Sequence, residues 1–590
     1  SSTSRGLGDV YKRQSYNLAK LIATTLLIAG CGQFTHKNNA ISEEPTIQAA
    51  SLTTQTTIDN ELVRAIPNES IYPLLLAEFA LRNKQYSLAL ENYLGQSAIL
   101  EDAGVSSLTT KLAQFLNDDK AALQAARQWV MLEPQSLEAN QIIANLLGRN
   151  KQPLEAFPYM TTVLRKGGKV NFTALAITAI RLDQNIQLET LMQLGNLLNE
   201  FPDNIELKLA QSIVLKEQQR YSEALRQIRD ILKTEPYQLQ AIVLEADISQ
   251  RMGKRNSFTR ILKTLQQQPE NHRLRIQYAH LLATTDINAA RKQFAILVNY
   301  RPNNPDILYS YALINWEMKD FDAASKSFLQ LLSMDKHSNE AHFYLGRYTE
   351  SKGDLQAALK HYLKVTLGPH FVAASHRLGS IWANQGEISE LASHFEQLRK
   401  NNPSAHARLF LIEAETLLKQ QFLNEAITVL SKGIRMFPNG INLRYARSLI
   451  GEKLGNIVLM ERDLRAIIAQ DPNNTSALNA LGYGLTIHTH RYQEAYKLLQ
   501  RAIRISPDEP AILDSLGWVQ FRLGMKNKAL NNLQRAHESF PDPEISAHLG
   551  EVLWSLGYKS ESTSILKKSL KKSPNNIILL EVIRRLVDGS

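Results

Sequence analysis

The sequence predicts an all-α solenoid, a stack of two-helix units on a period of about 34 residues, and three observations predict it. Prolines return in a fixed register along most of the chain. The stretches between them are dominated by alanine, leucine, glutamine, lysine and glutamate, which favour helices, and glycine is sparse. Within each beat, small and large apolar residues follow one another in the same order.

The register is read from Pro134, Pro202, Pro236, Pro269, Pro302, Pro369, Pro403, Pro438, Pro472, Pro507, Pro541 and Pro574. They recur at 33, 34 or 35 residues or at twice that, and the two silent beats fall at Gly168 and Lys336. Proline suits this place because it cannot continue a helix and so marks the turn between units.

The extreme N-terminus, Ser1 to Gln14, has no start methionine and resembles translated library-adaptor sequence, so it is expected to lie outside the native fold. Residues 15–30 read as a signal peptide. Lys12, Arg13 and Lys20 precede an apolar run from Leu21 to Ala29, which is too short for a comfortable membrane span. The run ends Leu27-Ile28-Ala29-Gly30-Cys31, and Cys31 is the chain's one cysteine. This resembles a bacterial lipoprotein lipobox. The resemblance implies cleavage before Cys31 and acylation of its sulfur and its new amino group. Three acyl chains anchor firmly, since each buried methylene contributes about 0.8 kcal/mol. The residue after the cysteine is Gly32, not the aspartate that favours inner-membrane retention among such lipoproteins, so the expected location is the periplasmic face of the outer membrane. Residues 31–68 then read as the lipidated cysteine and a polar tether without helical period, about 30–35 Å in root-mean-square span.

From residue 69 to 590 the helical units follow. The unit closing at Pro541 carries Leu516-Gly517 in its first helix and Ala529, Leu533 and Ala536 in its second. The unit closing at Pro507 repeats this with Leu481-Gly482, Ala495, Leu499 and Ala502, and the one closing near Pro369 with Leu345-Gly346, Ala358, Tyr362 and Val365. Small residues let the two helices approach and large ones fill the space between. This order and period are those of the tetratricopeptide repeat, whose units wind into a right-handed superhelix. Ser257 and Met460 stand where the pattern wants alanine, so the stretches 238–269 and 441–472 are degenerate. The expectation is about 15 helix pairs and a capping helix from Asn576 to Val587.

The chemistry of the chain points to binding. A net charge of +10 could suggest nucleic acid. Part of it sits in the leader, however, where Arg5, Lys12, Arg13 and Lys20 face only Asp9, and no nucleic-acid partner is expected. There is no phosphate loop, nucleophile elbow or His-Glu-x-x-His motif, so neither catalytic residues nor a metal or cofactor is expected. His488 and His490, and likewise His370 and His376, read as solvated loop residues. Positions 2, 5, 9 and 12 of each first helix face the inner groove. They place Tyr309, Trp316, Phe343, Arg347, Asn479, Tyr483, Asp514, Trp518, Phe521 and Trp554 there, with Arg522 alongside. Aromatic residues and arginine dominate interface energetics, although several of these could instead pack against the next repeat. A carboxylate-clamp receptor for chaperone tails is disfavoured, because the well-formed repeats lack asparagine at position 9. Lys567, Lys568, Lys571 and Lys572 form a basic stripe that suits either an acidic partner or a solvated end face.

Two segments carry a family resemblance. One is Ile71-Tyr72-Pro73-Leu74-Leu75-Leu76-Ala77-Glu78-Phe79-Ala80 followed by Leu88-Ala89-Leu90-Glu91-Asn92-Tyr93. The other is Pro510 to Trp518 with Pro543 to Trp554. Both resemble the large tetratricopeptide-repeat outer-membrane lipoproteins of proteobacteria, best understood in the adaptor of a periplasmic carboxyl-terminal processing protease. The resemblance implies a scaffold that binds the serine protease together with peptidoglycan-hydrolase clients. A scaffold lipoprotein of exopolysaccharide export or of pilus or secretion assembly is the alternative. A hidden enzyme would need an insert of about 100 residues, and the proline register leaves no such gap.

Overall fold

The computed structural model describes residues 66–588, so Cys31, the leader and nearly all of the tether lie outside the described residues. These residues form 31 α-helices, from Asn68–Arg82 to Ile577–Ile583, with a short 3-10 turn at Pro403–Ala405 and a final π turn at Arg584–Asp588. Among the described residues there is no strand. The helix count is the one expected of 15 two-helix repeats and a closing helix, and Asn576 is the N-cap of that closing helix. The chain divides into two bodies, residues 66–319 and 320–588.

The repeat boundaries follow from backbone chemistry. Every proline of the register lies between a second helix and the next first helix. The residue before it is pushed out of the helical region by the proline ring. Glu133, Glu235 and Asp471 accordingly adopt φ of −124°, −123° and −130° and end their helices. Two residues after Pro202, Pro302 and Pro472 stands an asparagine, and Asn204, Asn304 and Asn474 each accept the N–H three residues on at 3.0 Å. Such a cap contributes about 1 kcal/mol. At the silent beats tight geometry replaces proline. A Cβ on Gly168 would lie 2.6 Å from Val163 Cγ1, and Asp335 and His337 on either side of Lys336 take positive φ.

Inside each repeat the small residues do what the pattern requires. A Cβ on Gly517 would lie 2.7 Å from Leu533 Cγ, so the first helix approaches the second only because none is there. The degenerate repeats solve the problem differently. Met460 is buried where alanine is usual, and its sulfur occupies space left by Gly484 on the next first helix, where a Cβ would lie 2.6 Å away. Ser257 lies in a turn, not a helix. Its hydroxyl donates to the Lys254 carbonyl, and the second helix of that repeat shortens to Thr259–Gln267.

Candidate groove interface

In the second body the first helices bring four of the groove candidates, Tyr483, Asp514, Trp518 and Phe521, into one cluster. The centre is a polar and aromatic cluster on the helices Thr475–His488, Pro510–Arg522 and Pro543–Ser555. Asp514 is fully buried and pairs with His548, Oδ1 to Nδ1 at 2.9 Å. The Trp518 indole stacks on the His548 ring at 4.1 Å and 17°, and Phe521 packs on Trp518 at 5.4 Å. The Tyr483 hydroxyl donates to the carboxylate of Glu544, which is itself nearly buried in the first turn of its helix. A carboxylate is favoured there by the helix dipole. Beside this cluster, burial raises the Glu452 carboxyl above its ordinary range, against the opposite pull of His488 at 3.2 Å.

A second cluster lies on Ser338–Ser351. Phe343 stacks on His370 at 4.5 Å and 13°, and the Arg347 guanidinium lies 5.9 Å over the Phe343 ring. Burial pushes the His370 imidazole down, and burial and then Lys419 push His376 down to about 4. Neither histidine is therefore solvated as expected, although His370 does lie in a turn. His376 sits inside the Phe371–Gln385 helix, and its Nδ1 is 2.7 Å from Lys419 Nζ. The solvation reading failed for His370 because the turn after Tyr362 places it against Phe343, a contact that a local sequence window does not contain. His488 and His490 face different partners, Glu452 and the Tyr492 hydroxyl.

The groove candidates thus separate by exposure. Trp316, Phe343, Asp514 and Trp518 are buried between helices and shape the surface from beneath. Tyr309, Arg347, Asn479, Tyr483, Phe521 and Trp554 are half-buried, and Arg522 is exposed. Tyr309 and Trp316 belong to the first body, on Pro305–Glu317. Arg522 reaches Tyr492, its guanidinium 5.0 Å over that ring, while Lys559 Nζ lies 5.0 Å over Trp554. Lys567, Lys568, Lys571 and Lys572 are all exposed on Lys559–Lys572, opposite buried Leu566 and Ser569.

Two features lie outside that set. The first helix, Asn68–Arg82, exposes Ile71, Tyr72, Leu75 and Phe79 along one side. Terminal repeats ordinarily turn a polar face outward. Spacing at 71, 75 and 79 was the available signal. The other is Asn145, the ninth-position asparagine that the well-formed repeats lack, on Leu137–Arg149 where Ala144 replaces the usual glycine.

Tetratricopeptide-repeat family profiles match residues 315–370, 341–406 and 513–543. The TPR repeat-containing protein PA4667 of Pseudomonas aeruginosa is 33% identical over 533 residues, 90% of each chain. Cellulose synthase operon protein C of Komagataeibacter xylinus is 28% identical over 101 residues, 17% of this chain and 8% of that one. Among solved structures, yeast Tom70 aligns over 88% of this chain and 95% of its own at 13% identity, with a TM-score of 0.34, too low to compare grooves. The family profiles, the Pseudomonas relative and the helices agree on a tetratricopeptide-repeat protein.

Proposed function

Since this chain belongs to the tetratricopeptide-repeat family of PA4667, we propose that it is an outer-membrane-anchored periplasmic adaptor. In this reading it binds a carboxyl-terminal processing serine protease and presents peptidoglycan hydrolases to it. The lipobox at Cys31 supports the anchor, and the near full-length match to a proteobacterial repeat protein supports the scaffold. The observation that carries a protein partner is the apolar stripe of Ile71, Tyr72, Leu75 and Phe79 on the outermost described helix. An adaptor needs no chemistry of its own. Holding protease and client on one array raises their mutual concentration to about the millimolar range for short flexible linkage.

A chain beginning at Cys31, immobilised and exposed to envelope extract, is expected to retain a serine protease. A Tyr72→Ser, Phe79→Ser double variant is expected to retain less. Recovery of polysaccharide-export or pilus components without a protease would instead favour the export reading, to which the match with cellulose synthase operon protein C lends its one support. That match is about three repeats long, the length any repeat array shares. For the anchor, a globomycin-sensitive mass shift is expected, lost in Cys31→Ser. Outer-membrane retention of Cys31→Ser would sink the lipid-anchor reading.

A further inference from the structure

The first body holds a cleft of about 780 Å³ between two first helices, Leu137–Arg149 and Phe172–Ala179. Its origin is local. Phe172–Ala179 has only 8 residues. It is drawn toward the following repeat, where Glu206 accepts from the Thr173 N–H at 3.0 Å and from the Thr173 hydroxyl at 2.9 Å. On the other side the walls are small: Ala144 and Gly148 on one helix face Ala174 on the other. A Cβ on Gly148 would meet nothing within 4 Å. Space is left that a larger side chain at any of the three positions would fill.

The lining has a definite chemistry. The floor is apolar, made by Met160, Val163 and Leu175. The rim carries three amides, Gln114, Gln141 and Asn145, whose side chains make no hydrogen bond within the described residues. Each amide offers one acceptor and two donors, the complement of a peptide group. The rim also carries Lys169 and Arg149, and no carboxylate lines the cleft. Arg149 shares its charge with Asp119 at 2.9 Å, whereas Lys169 makes no ion pair among the described residues. The cleft is therefore positive, with an apolar floor and unspent peptide-like partners.

The amides are not clustered at one end. Gln114 comes from the Ala103–Phe115 helix, one repeat earlier, and the lining continues to Asn171 at the start of Phe172–Ala179. First helices about 8–10 Å apart make this a track of about 16–20 Å, or about five or six extended residues. A bound chain would run across the cleft and not end in it.

We propose that this cleft binds an internal, extended peptide segment that inserts one apolar side chain onto Met160 and Val163 and sets an adjacent acidic side chain against Lys169 and Arg149. The site is separate from the helix stripe and from the clusters of the second body, and it does not depend on which protease or export partner the scaffold serves.

The test uses the full chain and the capped hexapeptide Ac-Ala-Ala-Leu-Glu-Ala-Ala-NH2, fluorescently labelled, by anisotropy. Saturable binding is expected. Replacing Leu by Ala in the probe is expected to weaken it about tenfold, and replacing Glu by Gln, or Lys169→Glu in the chain, about two- to fivefold, since the ion pair is exposed. Gly148→Leu fills the cleft with a good helix former, so it should abolish binding while leaving the helical circular-dichroism signal intact. Lys169→Glu changes only an exposed side chain, so folding is not in question there. The proposal is overturned by no binding at millimolar probe, by equal binding of the Gln and Ala probes, or by binding that survives both chain variants. It is also overturned if a free-acid Ac-Ala-Ala-Ala-Ala-Ala-Leu binds and the capped acidic probe does not, which would make the site a receptor for chain ends.

Discussion

His280 is a buried imidazole on His272–Ala283 with neither ring nitrogen hydrogen-bonded among the described residues, packed on Phe294 at 5.3 Å. Burial pushes it down to about 4. Its unfolded value is about 6.5, so between those two pH values the unfolded chain holds the extra proton. Stability from this residue is therefore complete above pH 6.5 and is lost as pH falls toward 4, by up to about 3 kcal/mol. His280→Phe keeps the packing and removes the proton site. Its His272–Ala283 amides are expected to stay protected from hydrogen exchange at pH 4.5, where those of the parent chain open. Equal pH slopes in the two proteins would count against this. Asp463 is the opposite case, a buried charge that is well partnered. Arg447 donates to both carboxylate oxygens at 2.7 and 2.8 Å and to Ser431 Oγ at 2.8 Å, with Arg444 and Arg462 at 3.8 and 3.7 Å. Asp463→Ala strands the guanidinium in the core and is expected to cost about 3–5 kcal/mol. Asp463→Leu combined with Arg447→Met should cost less than Asp463→Ala alone, because no charge is then left buried. Urea denaturation of the three proteins decides it, and a double variant as unstable as the single would show that the pair itself holds the repeat.

At the scale of the helix, the decisive quantity is how closely two axes approach. Gly517 and Gly148 test it in opposite directions. A methyl on Gly517 would lie 2.7 Å from Leu533 Cγ and 3.2 Å from the Ala529 carbonyl, so Gly517→Ala is expected to cost about 1–3 kcal/mol by overpacking. A methyl on Gly148 meets nothing, so Gly148→Ala should gain about 0.5–1 kcal/mol from helix propensity alone. Melting curves of the two variants should move in opposite senses. This contrast also shows what the sequence can and cannot reveal. The proline beat and the Leu-Gly pairs are local signals, so the number and order of helices could be read directly. The cleft beside Gly148 could not, because it depends on Glu206 capturing Thr173 from the next repeat. Likewise the register put Trp518 on the groove side, but its burial is decided by His548, one repeat further on, which stacks over it. Positions within a helix follow from its own period, and exposure follows from the neighbour's side chain. That is why the helices were legible and only part of the groove was.

For the molecule as a whole, each repeat touches chiefly the ones before and after it, so stability is close to a sum of repeat and nearest-neighbour terms. The largest buried cluster of the second body's later repeats runs from Met460 to Val519, while Ala529 with Leu533 and Ala547 with Leu566 belong to separate, smaller clusters beyond it. At the end, Leu579, Val582 and Ile583 close the last repeat by covering Leu566 and Ala547. Long repeat arrays of this kind lose two-state behaviour. A lesion should therefore open its own neighbourhood and leave distant repeats of the same body folded. Asp463→Ala supplies such a lesion near the Ile441–Lys453 and Ile457–Gln470 helices. Hydrogen exchange of that variant is expected to lose protection at Leu443, Ile450 and Leu464 and, more weakly, at Leu481. Amides of Leu345 and Ala358, three repeats away on Ser338–Ser351 and Leu355–Tyr362, should exchange as in the parent chain. Thermal unfolding should broaden, with a calorimetric enthalpy above the van't Hoff value. Uniform loss of protection across residues 320–588 would mean that the body folds as one cooperative unit, and the additive picture of its repeats would fail.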